Sequence, residues 1–123
     1  MKLHLDNSAR FRITSYSPAG IAVNETTYPG SLIIQADTAP QPWAALTVDD
    51  ISRQSLQTYL DLKPEIMLIG TGARQQFPAV DQLAFLYASE LGFEIMDTAA
   101  ACRTFNILIG EERRVIAAVL APT

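Results

Sequence analysis

The chain is poor in the residue types that most often build catalytic and metal sites. Its 123 residues include one cysteine, one histidine and one tryptophan. A single cysteine excludes an internal disulfide and a cysteine-rich zinc site, and a single histidine excludes a multi-histidine metal centre. The carboxylates follow no metal-ligand spacing, and no serine lies in a Gly-x-Ser-x-Gly elbow. We therefore expect no metal and no cofactor, and the sequence favours a non-enzymatic role while leaving the question of enzymatic activity open.

Clustered positive charge and long apolar runs are also missing. Nine basic residues, scattered along the chain, stand against thirteen acidic ones, for a net charge of −4. Binding to a phosphate backbone draws on clustered lysine and arginine, so nucleic acid is an improbable partner. No apolar stretch approaches the ~20 residues that span a bilayer. The start of the chain, Met1 to Ser8, has no apolar run long enough for a signal peptide, so we expect a cytoplasmic protein.

The remaining composition is that of a single globular domain over residues 1–123. Hydrophobic residues make up 49% of the chain and charged residues 18%. Apolar periodicity and turn residues divide the chain into short elements. The predicted strands are 11–16, 21–23, 31–36, 43–46, 65–70, 93–96 and 115–120, and the predicted helices are 49–60, 79–91 and 99–109. We expect an α/β fold in which the first three strands form an antiparallel β-meander, while the direction of the last strand stays open.

The helices carry readable boundaries and apolar stripes. Thr47 is the predicted N-cap of the first helix, Asp97–Thr98 caps the third, and Gly92 is the predicted C-terminal cap of the second. The predicted stripe of the first helix consists of Val48, Ile51, Ser55, Tyr59 and Leu62. The predicted buried face of the second consists of Val80, Leu83, Ala84, Tyr87 and Leu91. The strand–helix–strand unit from 65 to 97 should form a right-handed parallel crossover.

The most informative segment is the turn Gly70-Thr71-Gly72, which directly follows a buried strand. The carboxyl ends of strands in open α/β sheets are where ligands usually bind, and backbone N–H groups there can hold an anion. The turn lacks both the dinucleotide-binding pattern and the phosphate-binding P-loop pattern. Three interpretations stay open: a structural turn, an anion or cofactor site, and an interaction loop.

Other polar residues fall near the same strand ends. Asp97 and Thr98 end the neighbouring strand, where they are either an ordinary helix cap or, with Thr71 and Arg74, the lining of a small polar cleft. Cys102 and His4 form the single thiol–imidazole combination in the sequence. Cys102 lies on an apolar helical stretch, which favours an inert thiol over a nucleophile.

Several segments, in matching order, resemble a widespread and largely uncharacterised domain family. They are Ile69–Gly72, Gly92–Thr98, Ala100, Arg103–Asn106 and Arg114–Pro122, with looser similarity at Tyr28–Ile34 and Trp43. Eukaryotic relatives in that family include a mitochondrial complex I assembly factor and an adipogenesis-associated protein. The resemblance implies a three-layer α/β domain with a mixed central sheet, and no established activity, cofactor or catalytic residue. Because the sequence shows no mitochondrial presequence, we expect a bacterial, cytoplasmic relative of the mitochondrial protein.

Three hypotheses for function follow. The first is a soluble interaction or assembly module whose partner is a protein that takes part in membrane-complex assembly. Its surface would consist of Thr71, Arg74, Gln75 and Phe77. The second is a small anionic ligand-binding protein, or a weak enzyme, that uses Gly70, Thr71, Gly72, Arg74 and Thr98. The third is self-association through the edges of the meander, and the oligomeric state stays open.

Overall fold

The computed structural model describes residues 10–122, which form two β-sheets and three α-helices. The strands are β1 (Ile13–Ser17), β2 (Gly20–Val23), β3 (Thr26–Tyr28), β4 (Leu32–Gln35), β5 (Gln41–Pro42), β6 (Ile66–Gly70), β7 (Gly92–Met96) and β8 (Val115–Val119). The helices are α1 (Arg53–Leu60), α2 (Val80–Ala88) and α3 (Thr98–Gly110), and a 3₁₀ turn, Val48–Asp50, precedes α1.

The larger sheet is mixed, as the family resemblance implied. Its five strands lie in the order β5-β4-β8-β6-β7. Strand β6 is parallel to both β7 and β8, whereas β4 is antiparallel to β8 and to β5. The last strand therefore runs parallel to β6, which answers the question of its direction. The unit β6-α2-β7 is the predicted parallel crossover.

The smaller sheet is the antiparallel meander, but its third strand is not the predicted one. Strands β1, β2 and β3 form this sheet, and the predicted third strand, 31–36, is β4 of the larger sheet. The true third strand, β3, lies inside a segment predicted to be a long reversal. The chain turns instead within two residues, Asn24 and Glu25, whose φ angles are 48° and 79°. Left-handed angles at both positions suit a two-residue hairpin turn. The second position of such a turn is usually glycine, and because glutamate stands there the turn is hard to recognise from the sequence.

Alternation of side chains along the central strands divides the core between the two faces of the larger sheet. One cluster joins this sheet to the meander and α3, and the other joins it to α1 and α2. In β4, for example, Leu32 and Ile34 face the meander side and Ile33 faces α1 and α2. The fold thus has three layers around one sheet, as predicted.

The segment before α1 differs from its prediction in two ways. The predicted strand 43–46 does not form, and β5 ends at Pro42 just before it. Trp43 is instead buried, and its indole Nε1 donates a hydrogen bond to the carbonyl oxygen of Ser55 at 2.9 Å. Thr47 begins the 3₁₀ turn, and α1 has its own N-cap, Ser52, because the backbone is extended at Ile51. The predicted stripe fails at Leu62, which is exposed.

The buried face of α2 also differs from the prediction. Leu83, Phe85 and Leu86 are its buried residues, whereas Val80 and Tyr87 are 82% and 66% exposed. The helix ends at Ala88, and the C-terminal cap is Ser89. The predicted cap, Gly92, instead begins β7, and Glu90 takes the left-handed conformation with a φ of 62°.

Candidate functional site

The carboxyl ends of β6, β7 and β8 are tied together by backbone hydrogen bonds. Thr71 N–H donates to the Met96 carbonyl, Thr98 N–H to the Gly72 carbonyl, and Leu120 N–H to the Gly70 carbonyl, each at 2.9 Å. The predicted residues Gly70, Thr71, Gly72 and Thr98 are therefore brought into one place. All four are buried.

Thr98 links all three chain segments through its hydroxyl group. Its Oγ1 donates to the Leu120 carbonyl at 2.7 Å and accepts from Gly72 N–H at 2.8 Å. The side chain is fully buried, so the hydrogen bonds form in a low-dielectric setting where unmade partners are costly. The Thr98 hydroxyl therefore has a structural role, which is to hold the three chain segments together.

Thr71 performs a similar task within the turn. Its Oγ1 lies 2.6 Å from the Arg74 carbonyl, to which it donates, and it accepts from Gln76 N–H at 3.1 Å. These bonds shape the loop that leads to α2. The hydroxyl groups of Thr71 and Thr98 are both bonded to backbone groups of the protein itself. The anion site at these strand ends therefore stays a prediction, and no contact among the described residues favours it.

The glycines of the turn allow this close packing. A Cβ atom on Gly70 would lie 2.8 Å from Val119 Cγ1 and 2.9 Å from Thr98 Oγ1. Gly72 has a φ of 96°, a conformation that residues with a Cβ rarely adopt. Asp97 is the N-cap of α3, and its carboxylate accepts from Ala100 N–H at 2.8 Å. These residues therefore allow the carboxyl ends of the strands to pack closely together.

The loop after the turn carries the three predicted site residues that are exposed. Arg74, Gln75 and Phe77 all lie on the surface, and Phe77 is 69% exposed. Phe77 precedes α2, whose exposed face carries Val80, Ala84 and Tyr87 at helical spacing. We refer to Phe77, Val80, Ala84 and Tyr87 as the α2 apolar surface.

This surface continues onto the neighbouring strand. The rings of Tyr87 and Phe93 meet edge to face, with centroids 5.2 Å apart and an interplanar angle of 75°. Phe93 belongs to β7, so the α2 apolar surface adjoins one border of the larger sheet. The sequence predicts Phe77 at the surface but Val80, Ala84 and Tyr87 in the core. The helical spacing of these three residues correctly indicates one stripe along α2, but the stripe faces solvent and not the core.

A shallow groove of about 470 Å³ lies between α1 and α2 at the opposite, amino ends of β6 and β7. It is lined by Arg53, Gln57, Leu60, Lys63, Pro64, Phe85, Ala88, Ser89, Glu90 and Leu91. The Arg53 guanidinium lies 6.0 Å from the Phe85 ring centroid. Both helices end at this groove, and their C-terminal carbonyl groups disfavour anions. Both basic and acidic side chains line the groove, so its charge does not indicate one class of ligand.

Cys102 is a buried residue of α3. Its side chain is 1% exposed, and burial raises the pKa of the thiol to about 12, against a weaker opposing effect of Arg103. The stability linked to this group is present below the ordinary thiol pKa and is lost as the pH rises toward the shifted value. His4, the single histidine with which Cys102 could form a thiol–imidazole pair, lies outside the described residues. Among residues 10–122 no group of three histidine, cysteine or acidic side chains is placed to hold a metal ion.

Two exposed carboxylates reinforce turns. The Arg114 N–H donates to Glu65 Oε1 at 2.7 Å, and Arg113 lies 3.4 Å from the same oxygen. These contacts, the backbone N–H first, lower the pKa of Glu65. N–H groups of Leu46 and Thr47 lower the pKa of Asp50 in the same way. The stability that each of these two carboxylates contributes is present above the ordinary carboxyl pKa, and it is lost as the pH falls through the lowered pKa.

Comparison with known proteins identifies relatives over nearly the whole chain. The model of a family described as "Protein of unknown function (DUF498/DUF598)" matches residues 13–120. The protein named NADH dehydrogenase (ubiquinone) 1 alpha subcomplex assembly factor 3 from Danio rerio is 36% identical over 117 residues, covering 94% of this chain and 67% of its own length. Its counterpart from Xenopus tropicalis is 33% identical over 123 residues, covering 98% of this chain and 66% of its own. The chain thus spans about two thirds of these relatives.

A further relative is bacterial and matches about half of the chain. A protein of Francisella tularensis named 13 kDa major membrane protein is 32% identical over 68 residues, which is 55% of each chain. Across residues 10–122 no helix has the length and apolar character that crossing a membrane requires.

Solved structures agree with the fold. A crystal structure of a protein from Bordetella parapertussis has a TM-score of 0.84 and 36% identity, covering 92% of this chain and 97% of its own. A solution structure from Bordetella pertussis, described as a Mth938-like domain, has a TM-score of 0.77 and 29% identity, covering 91% of this chain and 86% of its own.

Proposed function

This chain belongs to the DUF498/DUF598 family, and from that premise we propose that it is a non-enzymatic protein-interaction module of the assembly-factor type. The relatives named as complex I assembly factors support this class of role. The proposed partner is a protein that takes part in assembling a membrane complex. The cytoplasmic location and bacterial origin expected from the sequence remain part of the proposal.

The observation that carries the proposal is the α2 apolar surface. Single exposed apolar side chains are common on soluble proteins and need no explanation. Here Phe77, Val80 and Tyr87 are all more than 60% exposed, and they lie along one loop and the helix that follows it. A contiguous apolar area bordered by polar residues is typical of a protein-binding surface.

The geometry of the strand ends supports the same choice of surface. Thr71 and Thr98 use their hydroxyl groups to hold the fold together, and their side chains are buried. Arg74 and Phe77, by contrast, project from the loop where a partner protein can reach them. We place the partner-binding surface at this loop and on the exposed face of α2.

A comparison of protein partners tests the proposal. The tagged wild-type chain and a Phe77→Ser/Val80→Ser variant are used to capture proteins from a native, detergent-solubilised lysate of the cells that produce it. We expect the variant to lose a specific partner about tenfold or more, since exposed aromatic residues often dominate binding energy. Both side chains are largely exposed, so the free energy of unfolding should change by no more than about 0.5 kcal/mol.

The matched control is Ile107→Ser, which removes an equally exposed apolar side chain from α3. This helix packs on the opposite face of the larger sheet. The control should keep the partner that the double variant loses. Retention of every specific partner by the double variant would contradict the proposed surface.

A further inference from the structure

The two borders of the larger sheet differ in their protection. At one border β5 is only two residues long and ends in Pro42, a short, proline-bearing strand that blocks further pairing. At the other border β7 has five residues without proline or lysine. Within residues 10–122 no strand pairs with the outer side of β7. The sheet is therefore open to extension at one border.

Hydrogen bonds show which backbone groups of β7 point outward. The Met96 carbonyl accepts from Thr71 N–H and so points toward β6. The Ile95 carbonyl points the other way, because it accepts from the side-chain amide of Gln75 at 3.1 Å. Since N–H and C=O groups alternate in direction along a strand, Ile95 and Phe93 present theirs to the open border. The Gln75 side chain occupies a position that a partner strand would use.

The side chains of β7 give the two faces of this border different chemistry. Phe93 and Ile95 pack toward the cluster formed with α2, next to Tyr87 of the α2 apolar surface. Glu94 lies on the other face of the strand and is exposed. A strand placed beside β7 would therefore meet apolar groups on one face and a carboxylate on the other.

The segment of the chain that contains β7 is acidic between the flanking residues Arg74 and Arg103. From residue 75 to residue 102 there is no lysine, arginine or histidine, but there are four acidic residues, Asp81, Glu90, Glu94 and Asp97. Acidic and basic residues balance over the remainder of the chain, so this segment accounts for the net charge of −4. Complementary charge guides partner choice and association, and a basic partner fits this border.

We propose that the outer border of β7 binds an extended segment of a partner protein in which apolar residues alternate with lysine or arginine. The segment adds a strand to the sheet through the backbone groups of Phe93 and Ile95, and its N–H replaces the Gln75 amide. Its apolar side chains lie against the α2 apolar surface, and its basic side chains lie near Glu94. This inference rests on the proposed function and names the chemistry of the partner.

A second copy of this chain fits the border less well. Antiparallel pairing of two β7 strands through their outward groups joins all five residues only in the register that sets Phe93 opposite the partner copy's Ile95. The same register places Glu94 directly opposite Glu94, and like charges in that position destabilise a strand pair. The charge on β7 thus favours a basic segment over self-pairing.

Selection from a display library of random dodecamer peptides tests the inference. We expect the wild-type chain to enrich peptides in which apolar and basic residues alternate. Ile95→Pro removes the outward N–H of β7 without removing a hydrogen bond to β6, and it should weaken binding of the enriched peptides about tenfold or more. The control Ile95→Val keeps the N–H and should bind within about twofold.

A second variant keeps the test independent of the effect of proline on folding. Glu94→Lys reverses the exposed charge, and selection should then favour acidic over basic residues in the alternating pattern. Enrichment without alternation, or equal binding to Ile95→Pro, would overturn the inference. So would a concentration-dependent dimer in sedimentation that Ile95→Pro abolishes, because the occupant would then be a second copy.

The inference and the proposed function fail in different ways. A cellular partner that Phe77→Ser/Val80→Ser loses but Ile95→Pro retains would leave the interaction module in place and remove the added strand. Loss of the partner with neither variant would contradict both.

Discussion

At the scale of single residues, Thr98 connects the ends of three strands. Its hydroxyl bonds at once to the Gly72 N–H and the Leu120 carbonyl, in a fully buried position. The sequence predicts a helix cap at Asp97–Thr98, and Asp97 is indeed the N-cap. Nothing local in the sequence indicates the partners of Thr98, because Gly72 and Leu120 lie more than twenty residues away along the chain.

We predict that Thr98→Val lowers the free energy of unfolding by about 2–4 kcal/mol, because two buried backbone groups lose their partner while the side-chain shape is kept. Urea unfolding of the wild type and the variant measures this difference. The control is Thr104→Val, since among residues 10–122 the Thr104 hydroxyl bonds to the Met96 sulfur alone, at 3.6 Å. The control should change stability by less than about 1 kcal/mol. Equal effects at both positions would contradict the role given to Thr98.

At the scale of secondary structure, α2 shows where pattern-based prediction reaches its limit. The helix VDQLAFLYA is apolar on most of its circumference, so two different stripes satisfy a helical period. The structure buries Leu83, Phe85 and Leu86, and the prediction chose the stripe through Val80 and Tyr87. The side-chain amide of Gln82 donates to the carbonyls of Val48 and Ile51 at 3.2 Å and 2.9 Å, so α2 is held against the 3₁₀ turn by contacts that no local pattern encodes. Strands β4, β6 and β8, by contrast, are predictable as strands because their apolar runs are short and continuous.

The close contact of β6 with α3 can be tested by substituting two glycines, one at this contact and one in open space. Gly70→Ala should lower the free energy of unfolding by about 1–3 kcal/mol, because the new methyl group would overlap Val119 and Thr98. Gly110→Ala, at the end of α3, should instead raise it by about 0.5–1 kcal/mol, since open space surrounds the added Cβ and alanine favours a helix. Thermal and urea unfolding measure both changes. Opposite signs are expected, and a common sign would contradict the packing described for this contact.

At the scale of the whole molecule, the two core clusters share the central strands. Neighbouring residues of β4, β6 and β8 alternate between the clusters, so neither face can unfold without exposing the backbone that supports the other. Trp43 reports on the face with α1 and α2, and Cys102 reports on the face with α3. The positions of these two probes allow each face to be followed separately.

We predict that both faces unfold in a single transition. Trp43 fluorescence and the reaction of Cys102 in short pulses of a thiol reagent should give the same midpoint in urea. Phe105→Ala, which truncates a fully buried ring on the α3 face, should lower stability by about 3–5 kcal/mol and move both midpoints together. Cys102 reacting at urea concentrations where Trp43 remains buried would instead show that the α3 face opens on its own.

The position of β8 also has a consequence for how the protein is made. This strand lies third of five in the larger sheet, between β4 and β6, although it is the last of the strands along the chain. During translation, β4 and β6 leave the ribosome before the strand that must separate them has been synthesised. The larger sheet therefore cannot close until residue 119 has emerged from the exit tunnel, and until then the apolar residues of β4 and β6 are available to chaperones.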